Sequence, residues 1–297
     1  MSVASRLGGH GLGAERRAII RAVGLVVAGV TLFAVIDALG KLLSERQSVV
    51  QIVWARYAFA LPVILAAVPY RSWSSLARVG RPGLQIARAM MPVLASFSVV
   101  VGLGLLPLAE VTALTFASPL VVVALSAPLL GERATIHDWI GVALGFLGIL
   151  VIVRPGASAM AWAAIFPLGC AFFFALFQLT TRLVGRSDAP GATLAWSLVA
   201  GTLATTPFLL LDWRPVDATG WALMALSGLC FGGTQYLLIQ AFRLAPAAIL
   251  TPFTYAQIIP AVAFGYLLFG TVPDAWAAFG TVIIIAAGLY VLRRHSR

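Results

Sequence analysis

The chain contains a copy of part of itself. Shifted along its own length by 139 positions, residues 107–154 fall on 246–293 without a gap, and twelve of the 48 aligned pairs are identical. Pro107 meets Pro246, Thr112 meets Thr251, Thr115 meets Thr254, and Phe116 meets Tyr255; further on, Gly131 meets Gly270, Gly141 meets Gly280 and Arg154 meets Arg293. Chance alone would match roughly a tenth of such positions, and the period is too long for a solenoid. Hydrophobic residues make up 61% of the chain and charged residues 10%, against about 25% charged in a soluble domain. With a mean hydropathy of +1.00, most of its surface must face lipid. A long duplication in so apolar a chain marks a membrane transporter built from two related halves.

Apolar runs cut at charges, prolines and glycines predict ten spanning helices. These segments 1 to 10 cover residues 19–40, 49–69, 84–106, 109–130, 136–153, 161–182, 191–211, 219–242, 246–269 and 275–292. The cut at 106–109 rests on Pro107 and is supported by its repeat mate Pro246. Five segments per half is an odd number, so the halves, 19–154 and 155–293, are inverted relative to each other, with a substrate site near the midplane between them. Residues 1–18 and 294–297 are expected to be cytoplasmic tails. With the N-terminus inside, cytoplasmic segments hold 15 basic residues and outer segments 5, the distribution the positive-inside rule requires. The net charge of +10 is then a topology signal and a contact with anionic lipid, with no nucleic-acid partner implied. A polar stretch precedes a first run long enough to span, unlike a cleaved signal peptide. The glycine-rich residues 8–13 follow no strand and read as tail rather than phosphate loop.

Cys170 and Cys230 lie inside apolar runs as packing residues, and His10, His137 and His295 are far apart. No metal site, nucleophile triad or cofactor motif follows from them, so an enzyme has nothing to stand on.

Polar residues inside spans need a reason, since a central charge costs about 2.5–3.5 kcal/mol on insertion scales. Asp37 and Lys41 stand four apart on segment 1, on one helix face, and Gln178 and Arg182 echo them on segment 6. They read either as an ion pair at a helix end or as gates and substrate contacts at the two mouths of a pathway. Arg56 on segment 2 either snorkels to the interface or anchors a substrate carboxylate or phosphate, with Trp54 beside it for stacking. Glu110 opens segment 4, where the helix dipole favours an acid; it is also a candidate coupling site. Ser96, Thr115, Gln178, Gln235, Tyr236, Tyr255 and Gln257 complete the candidate substrate-binding set, with Gln235 and Gln257 nearest the midplane. A lipid-facing primary amide would be left unpaired, so glutamines point to a cavity or to interhelical bonding. Pro92, Pro119, Pro252 and Pro260 lie inside segments 3, 4 and 9, where breaks tend to face the pathway. Segments 5 and 10 are nearly all apolar and read as scaffold; Gly141 and Gly145, spaced GxxxG, leave a homodimer face open.

The run Pro119-Leu120 through Leu129-Leu130-Gly131-Glu132, followed by Gly141 and Gly148, resembles the EamA repeat of the drug/metabolite transporter superfamily. Thr251-Pro252-Phe253-Thr254-Tyr255-Ala256-Gln257 through Phe269-Gly270 and Pro273-Asp274 resembles it too. With Asp37, Lys41 and Trp54-Ala55-Arg56, the pattern is similar to a bacterial subgroup that includes riboflavin importers and S-adenosylmethionine transporters; more distant relatives export amino acids. The resemblance implies an all-α membrane protein, ten helices in two inverted five-helix repeats, and a cavity lined by segments 1, 3, 4, 6, 8 and 9. One departure is Thr271, where the repeat often has an acid that the first half keeps as Glu132.

The expected function is therefore secondary transport of a small polar metabolite, flavin-, cofactor- or amino-acid-like, across the bacterial inner membrane by alternating access. The alternatives are an amino-acid or drug exporter of the same fold, or a non-transporting membrane receptor or scaffold. Selectivity is expected where the repeat symmetry fails, at Ser96/Gln235, Ser118/Gln257 and Glu132/Thr271.

Overall fold

The structure, a computed structural model, describes residues 4–67, 80–130, 136–154, 161–184, 190–245 and 250–295, and among these it is helical with no strand. The described residues hold twelve α-helices, in order: α1 (Ala4–Ser44), α2 (Val49–Ala58), α3 (Leu61–Ala67), α4 (Pro82–Leu105), α5 (Leu108–Thr115), α6 (Ser118–Leu130), α7 (Ile136–Val153), α8 (Ile165–Val184), α9 (Pro190–Leu209), α10 (Ala218–Leu244), α11 (Ile258–Phe269) and α12 (Ala275–His295). The 3₁₀ stretches Ala161–Ala164 and Thr251–Gln257 lead into α8 and α11. Among the described residues, seven stretches are long and apolar enough to cross a membrane: 17–44, 49–66, 82–105, 108–125, 161–181, 192–209 and 218–241. Three shorter apolar helices cover 139–153, 253–269 and 275–290. Helix α1 begins at Ala4, ahead of the expected start at 19, so the glycine-rich stretch expected as tail lies within a helix.

Three predicted segments are interrupted beyond their first turn. Segment 2 is α2 and α3, parted at Phe59–Ala60. Segment 4 is α5 and α6, parted at Phe116–Ala117. Segment 9 is the 3₁₀ stretch and α11. In segments 4 and 9 the irregular residues are repeat mates, 116–117 against 255–256. The prolines supply the cause: Pro119 and Pro260 each lack the N–H that would bond four residues back, at Thr115 and Ala256. Helix ends follow local chemistry. Ser48 and Gln51 form a capping box on α2, Asp217 caps α10, and Gly270, at φ +64°, ends α11 in the left-handed region that glycine enters without strain.

The packing obeys the repeat. Segment 1 lies mainly against segment 8 and then against segment 9, while segment 6 lies mainly against segment 3 and then against segment 4. Segment 2 touches 8 as segment 7 touches 3, and segments 5 and 10 lie along each other. Each of these pairings maps onto another, or onto itself, when 1 exchanges with 6, 2 with 7, 3 with 8, 4 with 9 and 5 with 10. At the centre the mates meet: the rings of Phe116 and Tyr255 stand edge-to-face with centroids 5.1 Å apart. Segments 5 and 10, expected as outlying scaffold, form a close crossing between the halves, where Gly148 and Gly280 each face the other's carbonyl. The GxxxG glycine Gly145 lies against Leu120 of α6 in the same chain.

Candidate functional site

Asp37 lies in α1, Arg56 at the end of α2, and Gln257 closes the 3₁₀ stretch of the second half. These three converge. Arg56 Nη2 is 3.8 Å from Asp37 Oδ1 and donates to the Ile36 carbonyl at 3.3 Å. Gln257 Nε2 donates to Asp37 Oδ2 at 3.4 Å, so the carboxylate is shared between the halves. Asp37 is 7% and Arg56 3% exposed, which rules out snorkelling for Arg56. Gly40 is one reason the guanidinium fits: a Cβ there would come within 2.5 Å of Nη2. Beside Arg56, the Tyr57 hydroxyl is 3.5 Å from Ser96 Oγ. Cys170 of α8 packs against the same buried cluster that holds Ile36, Ala38, Ala55 and Tyr57. Segments 1, 2, 3, 6 and 9 thus all reach one buried centre.

Lys41 does not pair with Asp37. Its Nζ donates to the carbonyls of Leu103 and Leu106, each at 2.8 Å, and stands 5.5 Å from the centre of the Phe269 ring. The physical reason is the end of α4, whose last carbonyls lack intrahelical partners and lie across from Lys41. Trp54 also turns away from Arg56. Residues two apart on a helix do not share a face, and the Trp54 indole N–H donates to Thr206 Oγ1 of α9 at 3.2 Å. Tyr236 is 38% exposed and accepts from Gln240 Nε2 at 3.0 Å, one helical turn away and apart from the charged centre. Thr115 bonds back to the Thr112 carbonyl at 2.7 Å. Gln178 and Gln235 are half-buried on α8 and α10. The side chain of Arg182, and Glu132, lie outside the described residues. At position 271, where the repeat acid is missing, Thr271 Oγ1 donates to the Gly265 carbonyl and helps close the end of α11.

The end of the bundle that carries Lys41 is tied across the halves by polar contacts. Ser48 Oγ donates to the Asp212 carbonyl and Gln51 Nε2 to the Arg214 carbonyl, both at 2.8 Å. Arg154 and Asp274 form an ion pair at 2.5 Å. Glu110, in the first turn of α5, lines a small cleft of about 200 Å³ with Pro107, Arg154 and Ala161. The opposite end of segment 1 packs through small apolar side chains instead: Ala22, Val26 and Val30 against Ala241, Ala245 and Leu250.

Asp274 also accepts from the Ala277 N–H at 2.7 Å as the cap of α12. That bond, aided by the Arg154 guanidinium, holds its carboxyl below the usual aspartate range. A depressed carboxylate stabilises the fold above its unfolded pKa, about 3.9, and this contribution disappears as pH falls through the folded value. Asp274→Asn is therefore expected to lower thermal stability slightly at pH 7. The gap to wild type should narrow as melts are repeated below about pH 3.9.

Arg88 is a buried guanidinium that spacing did not single out as a hub. On α4, 4% exposed, it donates to Thr181 Oγ1 at 2.8 Å, the Thr193 carbonyl at 3.1 Å and Ser197 Oγ at 2.8 Å, and it stacks over Phe177 at 4.5 Å. It ties segment 3 to segments 6 and 7. The signal available was the threonine and serine content of segments 6 and 7, near a basic residue one turn into segment 3.

A family model described as "EamA-like transporter family" matches residues 20–154 and again 161–293. The chain is 28% identical to a riboflavin transporter of Rhizobium johnstonii over 95% of its own length and 93% of that protein's. It is 23% identical to an S-adenosylmethionine uptake transporter of Rickettsia prowazekii, with 88% of each chain covered. A solved structure, described only as the crystal structure of a protein, superposes with a TM-score of 0.65 at 16% identity, covering 93% of this chain and 99% of that one. It shares the fold.

Proposed function

Because the chain belongs to the EamA-like transporter family and is a small-metabolite transporter, we propose that it is a secondary transporter working by alternating access about the Asp37–Arg56–Gln257 centre. Ten spans in two inverted halves, with both termini in the cytoplasm of a bacterial inner membrane, complete this reading. The observation that carries it is the placement of that centre. A buried carboxylate and guanidinium of the first repeat meet a half-buried amide of the second. Buried charges are costly, and a site near the midplane at a repeat interface is where transporters of this build hold their cargo. Ser96, Thr115, Gln178, Gln235 and Tyr255 would line the same pathway, with Tyr236 and Trp54 at its margins. Lys41, Glu110 and the Arg154–Asp274 pair would close its outer end, and Arg182 the inner.

The relatives' names suggest riboflavin and S-adenosylmethionine as the first cargoes to test, in proteoliposome uptake. Cys170 supplies a native probe of the mechanism. In a Cys230→Ser background, alkylation of Cys170 is expected to depend on the facing state and to slow when cargo is present. Cys170 permanently sealed from both sides, with no uptake of any metabolite, would instead support a receptor or scaffold.

A further inference from the structure

The two buried arginines are held in opposite ways. Arg88 uses Nε and Nη1 in three bonds of 2.8–3.1 Å and covers its flat face with Phe177. Arg56 is as deeply buried, yet its Nε has no acceptor among the described residues. Its contact with Asp37 is 3.8 Å and its bond to Ile36 3.3 Å, both long beside the 2.7–2.9 Å of a charge-assisted pair. Asp37 is under-used as well. A carboxylate can accept about four hydrogen bonds, and beyond the distant guanidinium the side chain has Gln257 at 3.4 Å. Two opposite charges are therefore desolvated, close together and unsaturated. Natural proteins rarely leave buried charges so, because each unmade bond forfeits free energy.

We infer that the Asp37–Arg56 pair is a split receptor for a zwitterionic head group, one carrying an ammonium and a carboxylate on neighbouring atoms. This rests on the proposal that the same centre holds the cargo. The ligand's carboxylate takes the fork of Arg56, whose Nε and an Nη present two parallel donors. Its ammonium donates to Asp37, and Gln257 follows the carboxylate from the second half. Inserting a zwitterion adds no net charge to the buried centre. It replaces one long ion contact with two short ones, so binding is not opposed by an uncompensated charge. An anion alone would leave Asp37 facing a second negative group. A cation alone would leave Arg56 without an anion of its own. A molecule with neither group would have to separate the pair and replace nothing. Tyr57, Ser96 and Cys170 beside the pair leave the remainder of the cargo to be read by segments 3 and 6. The cost of the arrangement is visible at Gly40, where any side chain would displace the guanidinium.

The test uses the full chain in nanodiscs and in proteoliposomes. Three probes are compared by direct binding and by uptake: S-adenosylmethionine with the twenty amino acids as zwitterions, decarboxylated S-adenosylmethionine as the same scaffold without the carboxylate, and riboflavin as a ligand without a zwitterion. For wild type, a zwitterion is expected to bind and be carried, and removal of its carboxylate to weaken binding by about a hundredfold, the loss typical of truncating one partner of a buried charge pair. Arg56→Gln should lose binding of the intact zwitterion and bind the decarboxylated analogue more tightly than wild type does, because no buried guanidinium is then left without an anion. Arg56→Lys should fall between, keeping the charge and losing the fork. The analogue comparison on wild type needs no variant to fold. Uptake of riboflavin and of no zwitterion, or a decarboxylated analogue bound as tightly as the parent, would overturn the inference while leaving the transporter reading intact. If no compound were carried and Cys170 accessibility never changed, both would fail.

Discussion

Gly280→Leu is expected to prevent the bundle from assembling in a stable form. At that position a single added Cβ would already lie 2.7 Å from the Gly148 carbonyl oxygen, 2.6 Å from Ile152 Cγ1 and 3.2 Å from the Ile152 amide nitrogen. Two of those atoms are backbone and cannot swing aside. The reverse view is the same, with a Cβ at Gly148 2.9 Å from the Gly280 carbonyl. Membrane helices gain their affinity from such close approach because lipid offers no hydrophobic drive between them. Forcing α7 and α12 apart would forfeit the contact along the whole crossing, a loss above the 1–3 kcal/mol usual for overpacking. Thermal unfolding of the purified protein in detergent should show a large drop in midpoint or a failure to recover monodisperse material. Gly24→Ala is the control, since nothing lies within 4 Å of a Cβ there, and it should melt as wild type does. A Gly280→Leu protein that melts normally would mean the crossing is looser than its glycines indicate.

Asp37→Ala is expected to be the second most damaging change, for an electrostatic reason. It removes the carboxylate partner of Arg56 and leaves a buried guanidinium with the Ile36 carbonyl as its acceptor among the described residues. Breaking one side of a buried pair costs about 3–5 kcal/mol, whereas replacing both sides by apolar groups is often close to neutral. The double variant Asp37→Ala/Arg56→Met should therefore recover much of the stability lost by Asp37→Ala alone. Transport should not recover with it. Melting curves and uptake on the two proteins separate the structural from the functional share. If the double variant were no more stable than the single, the pair would not be the source of the loss. If it carried cargo at the wild-type rate, the centre would not be the cargo site.

How far these features could be read from the sequence depended on whether they are periodic or positional. The duplication, the apolar segments and the prolines are periodic or local, and they foretold the helical build and two of the three interruptions. Asp37, Arg56 and Gln257 were each legible as polar residues needing a reason. That they need one another was not, because 220 positions separate Asp37 from Gln257 and only the packing of segment 9 against segment 1 joins them. Spacing misled at Lys41, where a shared helix face suggested a bond to Asp37. The orphan carbonyls at the end of α4 offered the ammonium better partners. Arg88 was hidden because its role depends on two other segments. Segments 5 and 10 read as peripheral scaffold or a dimer face because apolar composition cannot distinguish a helix in lipid from one pressed against its mate.

The interrupted segments bear on how far the halves can move. Residues 112–118 and 251–257 are mates, yet the first follows an α-helix into a turn while the second is wound as 3₁₀ throughout. A 3₁₀ helix climbs about 2.0 Å per residue and an α-helix about 1.5 Å, so the four α-helical residues 112–115 and their 3₁₀ mates 251–254 differ in length by about 2 Å. Two copies of one sequence pattern thus hold, at the same moment, a long and a short form of the same rod. If the copies trade forms, each half takes the shape its mate has now, and the bundle becomes its own mirror in function: whatever end is closed opens, with no new fold required.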